Sequence, residues 1–334
     1  MPPSPFGTHE IILSSTDPDL PKDPPRGLGK YQNFRPMSRG ATAQLRSCWD
    51  PIIGRTIAVK TLLPEFMLDM TERRRFLREA RVTAQLQHPN TVPVYEIGDD
   101  PNEGLYFTMK RVSGENFFEI LKRIARNDQR AIEAFPVLRR LDIVIAAGQA
   151  LRYAHARGVI HRDIKPENIW VGNFGEVILL DWGVAKVWGH AEHNEPERQS
   201  PPSSAPGEAT DQLRTLTHGG QRPGTPLYMS PEQVEGKRTI DERTDIFSIG
   251  VVLYEMLAIR EPFRGATIDE TFAKILTYDP PLPSQRSPER YIPTLLESIT
   301  MRAIRKHPGE RYQTMSELIY DLEATRGEID EHRS

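Results

Sequence analysis

Residues 159–186 constrain the fold more than any other part of this chain. Two apolar runs, at 169–171 and 177–180, flank a turn with a glycine at each end, and this pattern predicts a β-hairpin. If the two runs pair, the hairpin brings Asp181 back beside the loop that carries Asp163. The sequence therefore predicts that two carboxylates distant in the chain lie close together in space.

The residues between these carboxylates indicate what the pair can do. Lys165 supplies a cation and Asn168 supplies a side-chain amide. Mg²⁺ in proteins is usually held by one or two carboxylates together with substrate phosphates, so Asn168 and Asp181 form a suitable pair of oxygen ligands. Asp163 then remains available to accept a proton from a hydroxyl nucleophile. The segment thus combines a predicted magnesium site with a predicted proton acceptor.

The letters HRDIKPEN at 161–168, followed by DWG at 181–183, resemble the catalytic and metal-binding loops of protein kinases. A structural ion-pair loop would account for a lone H-R-D triplet, but not for the length and spacing of the whole segment. Trp182 stands where the usual motif has Phe, and its large apolar face is expected to keep the packing role. Lys165 is typical of the serine/threonine version of the loop. The chain most resembles the eukaryotic-like serine/threonine kinases of bacteria.

The resemblance implies an α+β, two-lobed protein kinase fold, with a small antiparallel sheet lobe that contains one helix and a larger, mainly helical lobe. We assign the kinase domain to residues 30–325, with the N-lobe at 30–112, the C-lobe at 113–325 and a long activation segment at 181–232. Residues 1–29, rich in Pro, Ser and Asp, are expected to form a disordered leader. Residues 326–334 are expected to form a charged, frayed tail.

Composition excludes several classes of protein. The net charge of −3 gives no electrostatic case for binding nucleic acid. The single cysteine, Cys48, excludes an internal disulfide framework and a multi-cysteine zinc site, and it fits a reducing compartment. The longest apolar stretch, 246–259, is too short to span a bilayer, and the N-terminus lacks the basic-then-apolar order of a signal peptide. We therefore expect a cytoplasmic chain.

The N-lobe is predicted from short segments rich in β-branched and aromatic residues and from one helical pattern of apolar residues. The strand segments are 34–46, 56–63, 92–97 and 105–112, and the helix covers roughly 67–86. Ala58-Val59-Lys60 resembles the V-A-I-K strand of kinases, and Glu79 lies mid-helix where the partner of that lysine belongs. The resemblance implies that Lys60 orients the α- and β-phosphates of ATP and that Glu79 holds Lys60.

The glycine-rich loop is the weakest match to the kinase pattern. The pattern G-x-G-x-x-G-x-V falls on Ser38, Gly40, Ala43 and Leu45, so only the central glycine remains. Glycine lets backbone N–H groups approach phosphate closely, and we expect a weaker or stiffer clamp here. Backbone groups of a hinge at 110–115 are expected to face adenine. The residues that the resemblance implies for ATP binding are Ser38, Arg39, Gly40, Ala41, Leu45, Ala58, Lys60, Met109, Lys110, Val112 and Asn168.

The resemblance also assigns roles within the catalytic loop. It implies that Asp163 orients the substrate hydroxyl and accepts its proton, and that Lys165 neutralises charge on the transferred phosphate. Asn168 and Asp181 are the implied metal ligands. The implied cofactors are ATP and Mg²⁺, with Mn²⁺ as an alternative ion.

The C-lobe is predicted to be helical. Helices are predicted at 116–126 and 137–157, separated by a polar insertion at 127–133, and again at 246–259 and 315–325. The resemblance implies that Asp245 braces the catalytic-loop backbone. It also implies that Arg311 pairs with Glu232, whose Ser-Pro-Glu sequence resembles the family's A-P-E element.

The polar stretch 187–222 lies where kinases have their activation segment, and loops of this length are usually functional or disordered. Thr215 and Thr217 are candidates for autophosphorylation, because the resemblance places phosphorylated threonines in this segment. A phosphothreonine can pair with an arginine, and Arg162, beside Asp163, is expected to bind the phosphate group. The alternative is that both are solvated loop hydroxyls.

Three function classes stay open on the sequence alone. The first is a serine/threonine protein kinase that transfers the γ-phosphate of ATP to protein substrates, including itself, with a dimer as one route to phosphorylation in trans. The second is a pseudokinase-like scaffold that binds nucleotide, favoured by the depleted glycine loop. The third is a small-molecule phosphotransferase of related fold, which would lack Lys165 and the Ser-Pro-Glu element. The intact catalytic positions favour the first class, with no nucleic acid and no membrane segment involved.

Overall fold

A five-stranded antiparallel sheet dominates the N-terminal part of the chain. It is seen in a computed structural model that describes residues 26–183, 185–187, 226–237 and 239–331. The sheet has the order β1-β2-β3-β5-β4. Its strands are β1 Gln32–Arg39, β2 Ala43–Asp50, β3 Arg55–Leu62, β4 Val94–Asp100 and β5 Gly104–Lys110. These strands fall within the first of two compact units, which comprises Met1–Arg73 and Val94–Arg111.

The predicted strand at 34–46 is wrong in one respect, because the structure divides it between β1 and β2. The chain reverses at residues 40–42, where the Gly40 N–H donates to the Ala43 carbonyl at 2.8 Å. Residues 40–42 contain neither a proline nor an Asn-Gly pair, so the sequence pattern predicts one continuous strand across the turn. The core of this unit includes Leu28, Cys48, Ile57 and Val59.

The second compact unit comprises Arg74–Pro93 and Val112–Ser334, so the boundary between the units falls within helix α1, Met70–Gln85. Its longer helices are α2 Phe117–Ala125, α4 Val137–Ala156, α6 Arg243–Ala258, α7 Ile268–Thr277, α9 Thr294–Ala303 and α10 Met315–Ala324. Its shorter helices are α3 Gln129–Ala134, α5 Pro231–Val234, α8 Pro283–Arg286 and α11 Arg326–Glu331. Helix α6 is almost wholly buried and packs against α4, α9 and α10. A continuous apolar helix suits this central place.

Two small sheets complete the second unit. β8 Ile169–Val171 pairs with β9 Val177–Leu179 on one side and with β6 Glu115–Asn116 on the other. β7 Val159–Ile160 pairs with β10 Lys186–Val187. The two-lobed α+β fold predicted from the sequence is confirmed.

Two segments of the second unit differ from the sequence interpretation. The insertion at 127–133 contains helix α3, which the Asp128 side chain caps and Ala131 anchors in the core. Residues after Thr325 were expected to fray, yet α11 is helical and buries Ile329. In both places a short polar helix is held by one buried residue, which composition does not reveal. Across the described ranges, none of the helices is long and apolar enough to cross a membrane.

Candidate active site

The predicted hairpin is confirmed, with Ile169 opposite Leu179 and Val171 opposite Val177. Just beyond β9, the Leu180 N–H donates to the Asn168 carbonyl at 2.8 Å. This bond places Asp181, the next residue, beside the end of the catalytic loop. The two carboxylate-bearing segments therefore lie together as the sequence predicts.

Asp163 lies at the centre of a compact polar group. The Lys165 ammonium donates to Asp163 Oδ2 at 2.6 Å. The Asn168 amide nitrogen donates to the Asp163 carbonyl at 2.8 Å and to Oδ2 at 3.2 Å. Burial opposes the charge on Lys165, but the Asp163 carboxylate outweighs it and raises the lysine pKa. One cation and one amide thus hold the Asp163 carboxylate in a fixed orientation.

His161 connects the catalytic loop to the hairpin. Its Nδ1 accepts from the Asp163 N–H at 3.2 Å, and its Nε2 lies 3.1 Å from the Leu180 carbonyl. Because Nδ1 accepts, Nε2 must carry the proton and donate to that carbonyl. Trp182 packs on the imidazole, with ring centroids 4.5 Å apart, and is only 1% exposed. Its indole N–H has no partner among the described residues.

Asp245 braces the loop from helix α6. Its carboxylate is fully buried and accepts from the His161 and Arg162 N–H groups, both at 2.9 Å, and it lies 2.8 Å from His155 Nε2. Burial alone would raise the Asp245 pKa, but the hydrogen bonds and the two histidines lower it below its ordinary value. This is the bracing contact that the kinase resemblance implies for Asp245.

Two residues of the site have strained backbones. Arg162 has φ 70° and Asp181 has φ 66°, in the left-handed region that non-glycine residues rarely adopt. Such a conformation costs on the order of 1–2 kcal/mol per residue. The Asp245 carboxylate holds the Arg162 N–H, and the Gln233 amide of α5 donates to the Arg162 carbonyl at 2.8 Å. Strain that is held from both sides is typical of a functional loop.

The predicted partners Lys60 and Glu79 belong to different compact units. Lys60 lies on β3, opposite Leu45 and Phe107, with its ammonium 5.9 Å from the Phe107 ring centroid. The Glu79 carboxylate lies beside Gly183, since a Cβ built there would be 3.4 Å from Glu79 Oε2. The Lys60–Glu79 ion pair stays a prediction.

The loop predicted to clamp phosphate forms the β1–β2 turn. Ser38 pairs with Leu45 across the hairpin, and Arg39 lies 3.3 Å from Glu65 in an exposed ion pair. Gly40 and Ala41 lie in the turn. A Cβ on Gly40 would meet only the Ala43 carbonyl, at 3.4 Å, so the turn itself does not require this glycine.

The predicted hinge continues from β5. Ala58 faces Met109 across the sheet, and Lys110 ends the strand. Val112 follows, and Gly114 then adopts φ 112° against β8. A Cβ on Gly114 would lie 2.1 Å from the Val171 carbonyl oxygen, so only glycine fits there.

The predicted Glu232–Arg311 pair is present and buried. The two guanidinium Nη atoms donate to the two carboxylate oxygens at 2.8 and 2.9 Å, and Arg311 is 1% exposed. Its remaining N–H groups donate to the carbonyls of Arg243, Arg305 and Lys306. Burial would raise the Glu232 pKa, but Arg311 lowers it overall. A charge pair that is completely hydrogen-bonded in this way anchors α5 to the rest of the unit.

Sequence reasoning missed several residues that support the site. His155 completes the Asp245 network, Gln233 holds Arg162, and the Tyr228 hydroxyl donates to the buried Glu255 at 2.5 Å. Each of these contacts joins residues far apart in the chain, so no local pattern marks them. Thr215 and Thr217 lie outside the described residues.

A profile of the protein kinase domain family matches residues 31–319. The chain belongs to this family. It is 33% identical over 297 residues to the serine/threonine-protein kinase PknD of Protochlamydia amoebophila. The aligned region covers 88% of this chain and 29% of that protein. It is also 33% identical over 296 residues to the serine/threonine-protein kinase PknD of Chlamydia muridarum, and this aligned region covers 87% of this chain and 31% of that protein. The chain thus spans less than a third of the length of these curated relatives.

Proposed function

We propose that this chain is a serine/threonine protein kinase that transfers the γ-phosphate of ATP to hydroxyl groups of protein substrates. The observation that carries the proposal is the polar group around Asp163, in which Lys165 and Asn168 fix one carboxylate beside the strained backbone of Asp181. The kinase names of the relatives support the same conclusion.

Phosphoryl transfer asks a protein for positioning and charge neutralisation more than for covalent chemistry. Asp163 orients the substrate hydroxyl and accepts its proton, while the Lys165 ammonium faces the negative charge of the transferred phosphate. His161 and Asp245 keep the loop in the conformation that presents Asp163. In this proposal Lys60, held by Glu79, orients the phosphates of ATP.

The donor set fits a magnesium ion. The Asn168 amide nitrogen faces Asp163, which leaves its Oδ1 as an oxygen ligand, and Asp181 offers an exposed carboxylate. These are the oxygen donors that Mg²⁺ prefers, and Mn²⁺ accepts the same set. Asn168 and Asp181 would hold the ion, whose positive charge would offset the negative charge of the phosphates.

The ATP-binding role of the sheet residues belongs to the same proposal. The β1–β2 turn offers backbone N–H groups, and Met109, Lys110 and Val112 offer backbone groups for adenine. The chain is proposed to act in the cytoplasm, in line with its buried, unpaired Cys48.

A pseudokinase scaffold is the second candidate, and the depleted glycine loop is the observation that favours it. One experiment separates the candidates. The purified chain is incubated with Mg²⁺ and labelled ATP, together with a generic protein substrate and a panel of small molecules. We expect label on serine and threonine of the protein. Label only on small molecules, or none on either, would contradict the proposal.

Autophosphorylation at Thr215 and Thr217 is a prediction that follows from this function. A phosphothreonine carries about −1.5 to −2 charges and can pair with Arg162 through charge-assisted hydrogen bonds. Mass spectrometry after incubation with Mg-ATP is expected to find phosphate at one or both positions, and Thr215→Ala with Thr217→Ala is expected to lower activity. An active preparation without phosphate at either threonine, or a fully active double variant, would contradict the prediction.

A further inference from the structure

Three arginines form an exposed row along helix α1. Arg74, Arg78 and Arg81 follow the spacing i, i+4 and i+7, which places them on one face of the helix. All three are exposed, whereas Phe76 and Ala80, which lie two positions further on and therefore on the opposite face, are buried. The three residues, which we call the arginine row, thus face away from the core.

The arginine row has no neutralising partner within the described part of the chain. None of its three guanidinium groups forms a side-chain hydrogen bond, an ion pair or a contact with an aromatic ring there. Other exposed helix faces combine opposite charges, as in the Glu270–Lys274 pair of α7 and the Glu119–Lys122 pair of α2. Because like charges at these spacings repel each other, the arginine row favours an acidic partner.

The first 25 residues of the chain carry the complementary charge. They contain four carboxylates, at Glu10, Asp17, Asp19 and Asp23, and Lys22 is the one lysine or arginine among them. Three of the four acids fall within residues 17–23, which we call the acidic segment. This segment lies outside the described residues. Its sequence alone makes it opposite in sign to the arginine row.

The acidic segment joins the fold close to the start of the arginine row. Shortly after it, the Leu28 N–H donates to the Asp100 carboxylate of β4 at 3.0 Å. The adjacent Asp99 carboxylate accepts from the Arg73 guanidinium of α1 at 3.2 Å. These four residues belong to the first compact unit, and Arg73 directly precedes the first arginine of the row. Two hydrogen bonds thus connect the point where the chain enters the fold to the helix that carries the row.

The length of the connection allows the acidic segment to reach the row. An extended chain spans about 3.3 Å per residue, so Asp23 can lie up to about 17 Å from Leu28, and Asp17 up to about 36 Å. The arginine row itself covers only about 10 Å of helix. A partner tethered by a short linker also has an effective concentration on the order of millimolar, which a separate acidic protein would not share.

We propose that the arginine row of α1 is a docking surface for the chain's own acidic segment, residues 17–23. Carboxylates of the segment pair with the guanidinium groups of the row and offset the repulsion between them. This binding goes beyond the proposed phosphoryl transfer and does not depend on it. Because α1 also carries Glu79, the docked segment restrains the helix on which that residue lies.

Distances between two spin labels test the proposal in the full chain. The labels are attached to cysteines introduced by Ser15→Cys, beside the acidic segment, and by Gln85→Cys, at an exposed position that ends α1. The native Cys48 is 1% exposed and burial raises its pKa to about 12, so it does not compete for the label. We expect a narrow distance distribution centred below about 30 Å at low salt. In 1 M NaCl, where the Debye length is about 3 Å, the distribution should broaden.

Neutralising the arginine row should release the segment. The row variant combines Arg74→Gln, Arg78→Gln and Arg81→Gln, and glutamine retains the helix propensity of arginine. We expect the narrow component of the distance distribution to fall about tenfold, because three surface ion pairs are lost together.

The reciprocal change is made in the acidic segment. The segment variant combines Asp17→Asn, Asp19→Asn and Asp23→Asn, and it alters no residue of the described fold. It should reduce the narrow component as much as the row variant does.

A matched variant controls for a general loss of positive charge. It combines Arg130→Gln, Arg286→Gln and Arg305→Gln, all at exposed positions outside α1. This variant removes the same charge as the row variant and should keep the parental distance distribution.

Three results would overturn the proposal. One is a broad distance distribution in the parent chain at low salt. The second is a parental distribution in the row variant or in the segment variant. The third is a narrow distribution that arises only between two singly labelled copies of the chain, since the row would then bind a second copy. None of these measurements requires ATP or a protein substrate, so the docking proposal stands or falls independently of phosphate transfer.

Discussion

Glu255 on α6 shows how a single buried residue of this chain responds to its surroundings. Its carboxyl is almost completely buried and accepts a hydrogen bond from the Tyr228 hydroxyl. The negative charges of Glu261 and Glu167 and the positive charge of Arg264 also act on it. Burial, reinforced by the charge on Glu261, raises the Glu255 pKa to about 8 from an ordinary value of 4.5. The folded chain therefore holds this proton more tightly than the unfolded chain does.

The raised pKa predicts a specific pH dependence of stability. The contribution of Glu255 to the free energy of unfolding is fully present below about pH 4.5 and is lost as the pH rises toward 8. The loss is on the order of a few kcal/mol. Glu255→Gln, which is uncharged at every pH, should remove this loss. Urea unfolding at several pH values between 5 and 8 measures it.

An exposed acid provides the control for this prediction. Glu289→Gln changes a carboxylate whose side chain is 62% exposed and should keep the parental pH dependence. If Glu255→Gln loses stability with pH as steeply as the parent, then Glu255 does not hold its proton in the folded chain.

At the scale of elements, Gly114 decides how β6 meets the β8–β9 hairpin. A Cβ on Gly114 would lie 2.1 Å from the Val171 carbonyl oxygen and 2.8 Å from the Cα of Gly172, and its φ of 112° is unsuitable for alanine. Neither contact can relax by side-chain rotation, because both atoms belong to the backbone. The pairing of β6 with β8 therefore depends on this glycine.

Gly114→Ala is predicted to lower the free energy of unfolding by about 3–5 kcal/mol, from the strained backbone and the steric overlap together. Gly175→Ala is the matched control, because Gly175 has φ 86° with no atom within 4 Å of the added Cβ. It should cost only about 1–2 kcal/mol. Equal losses in chemical denaturation of the two variants would show that the contact with Val171 does not matter.

Some elements of this fold can be predicted from the sequence, and others cannot. The hairpin and α4 follow from apolar periodicity, and Asp163, Asn168 and Asp181 were placed together by that hairpin alone. Helix α3 was missed because its sequence is polar, and Ala131 is too small to mark a buried face. His155 and Gln233 could not be predicted, because their partners lie on other elements and tertiary hydrogen bonds leave no local spacing in a sequence.

At the scale of the whole molecule, α11 closes the second unit. Ile329 is 4% exposed, and Glu328 accepts from the Thr294 and Leu295 N–H groups at 2.8 and 3.1 Å, which caps the start of α9. Arg326 adds an exposed ion pair with Asp142 at 2.7 Å. The last helix therefore contributes packing and a cap, while its surface ion pair adds little.

A chain shortened to end at Thr325 is predicted to lose about 2–4 kcal/mol of stability, from the burial of Ile329 and the cap of α9 combined. Thermal and urea unfolding of the shortened and parent chains measure the loss. Arg326→Ala in the intact chain should change stability by less than about 1 kcal/mol. A shortened chain as stable as the parent would show that α11 does not support the unit.

We propose that Asp163 accepts the proton of the substrate hydroxyl during phosphoryl transfer, and the turnover of Asp163→Asn measures this role. Asparagine keeps the shape and can still bond to Lys165 through its oxygen, but it cannot accept the substrate proton. Phosphate transfer from labelled ATP to protein, compared between the parent and the variant at saturating ATP, should fall by about 10²–10⁴ while nucleotide affinity stays unchanged. Transfer by Asp163→Asn at the parental rate would show that Asp163 is not the proton acceptor.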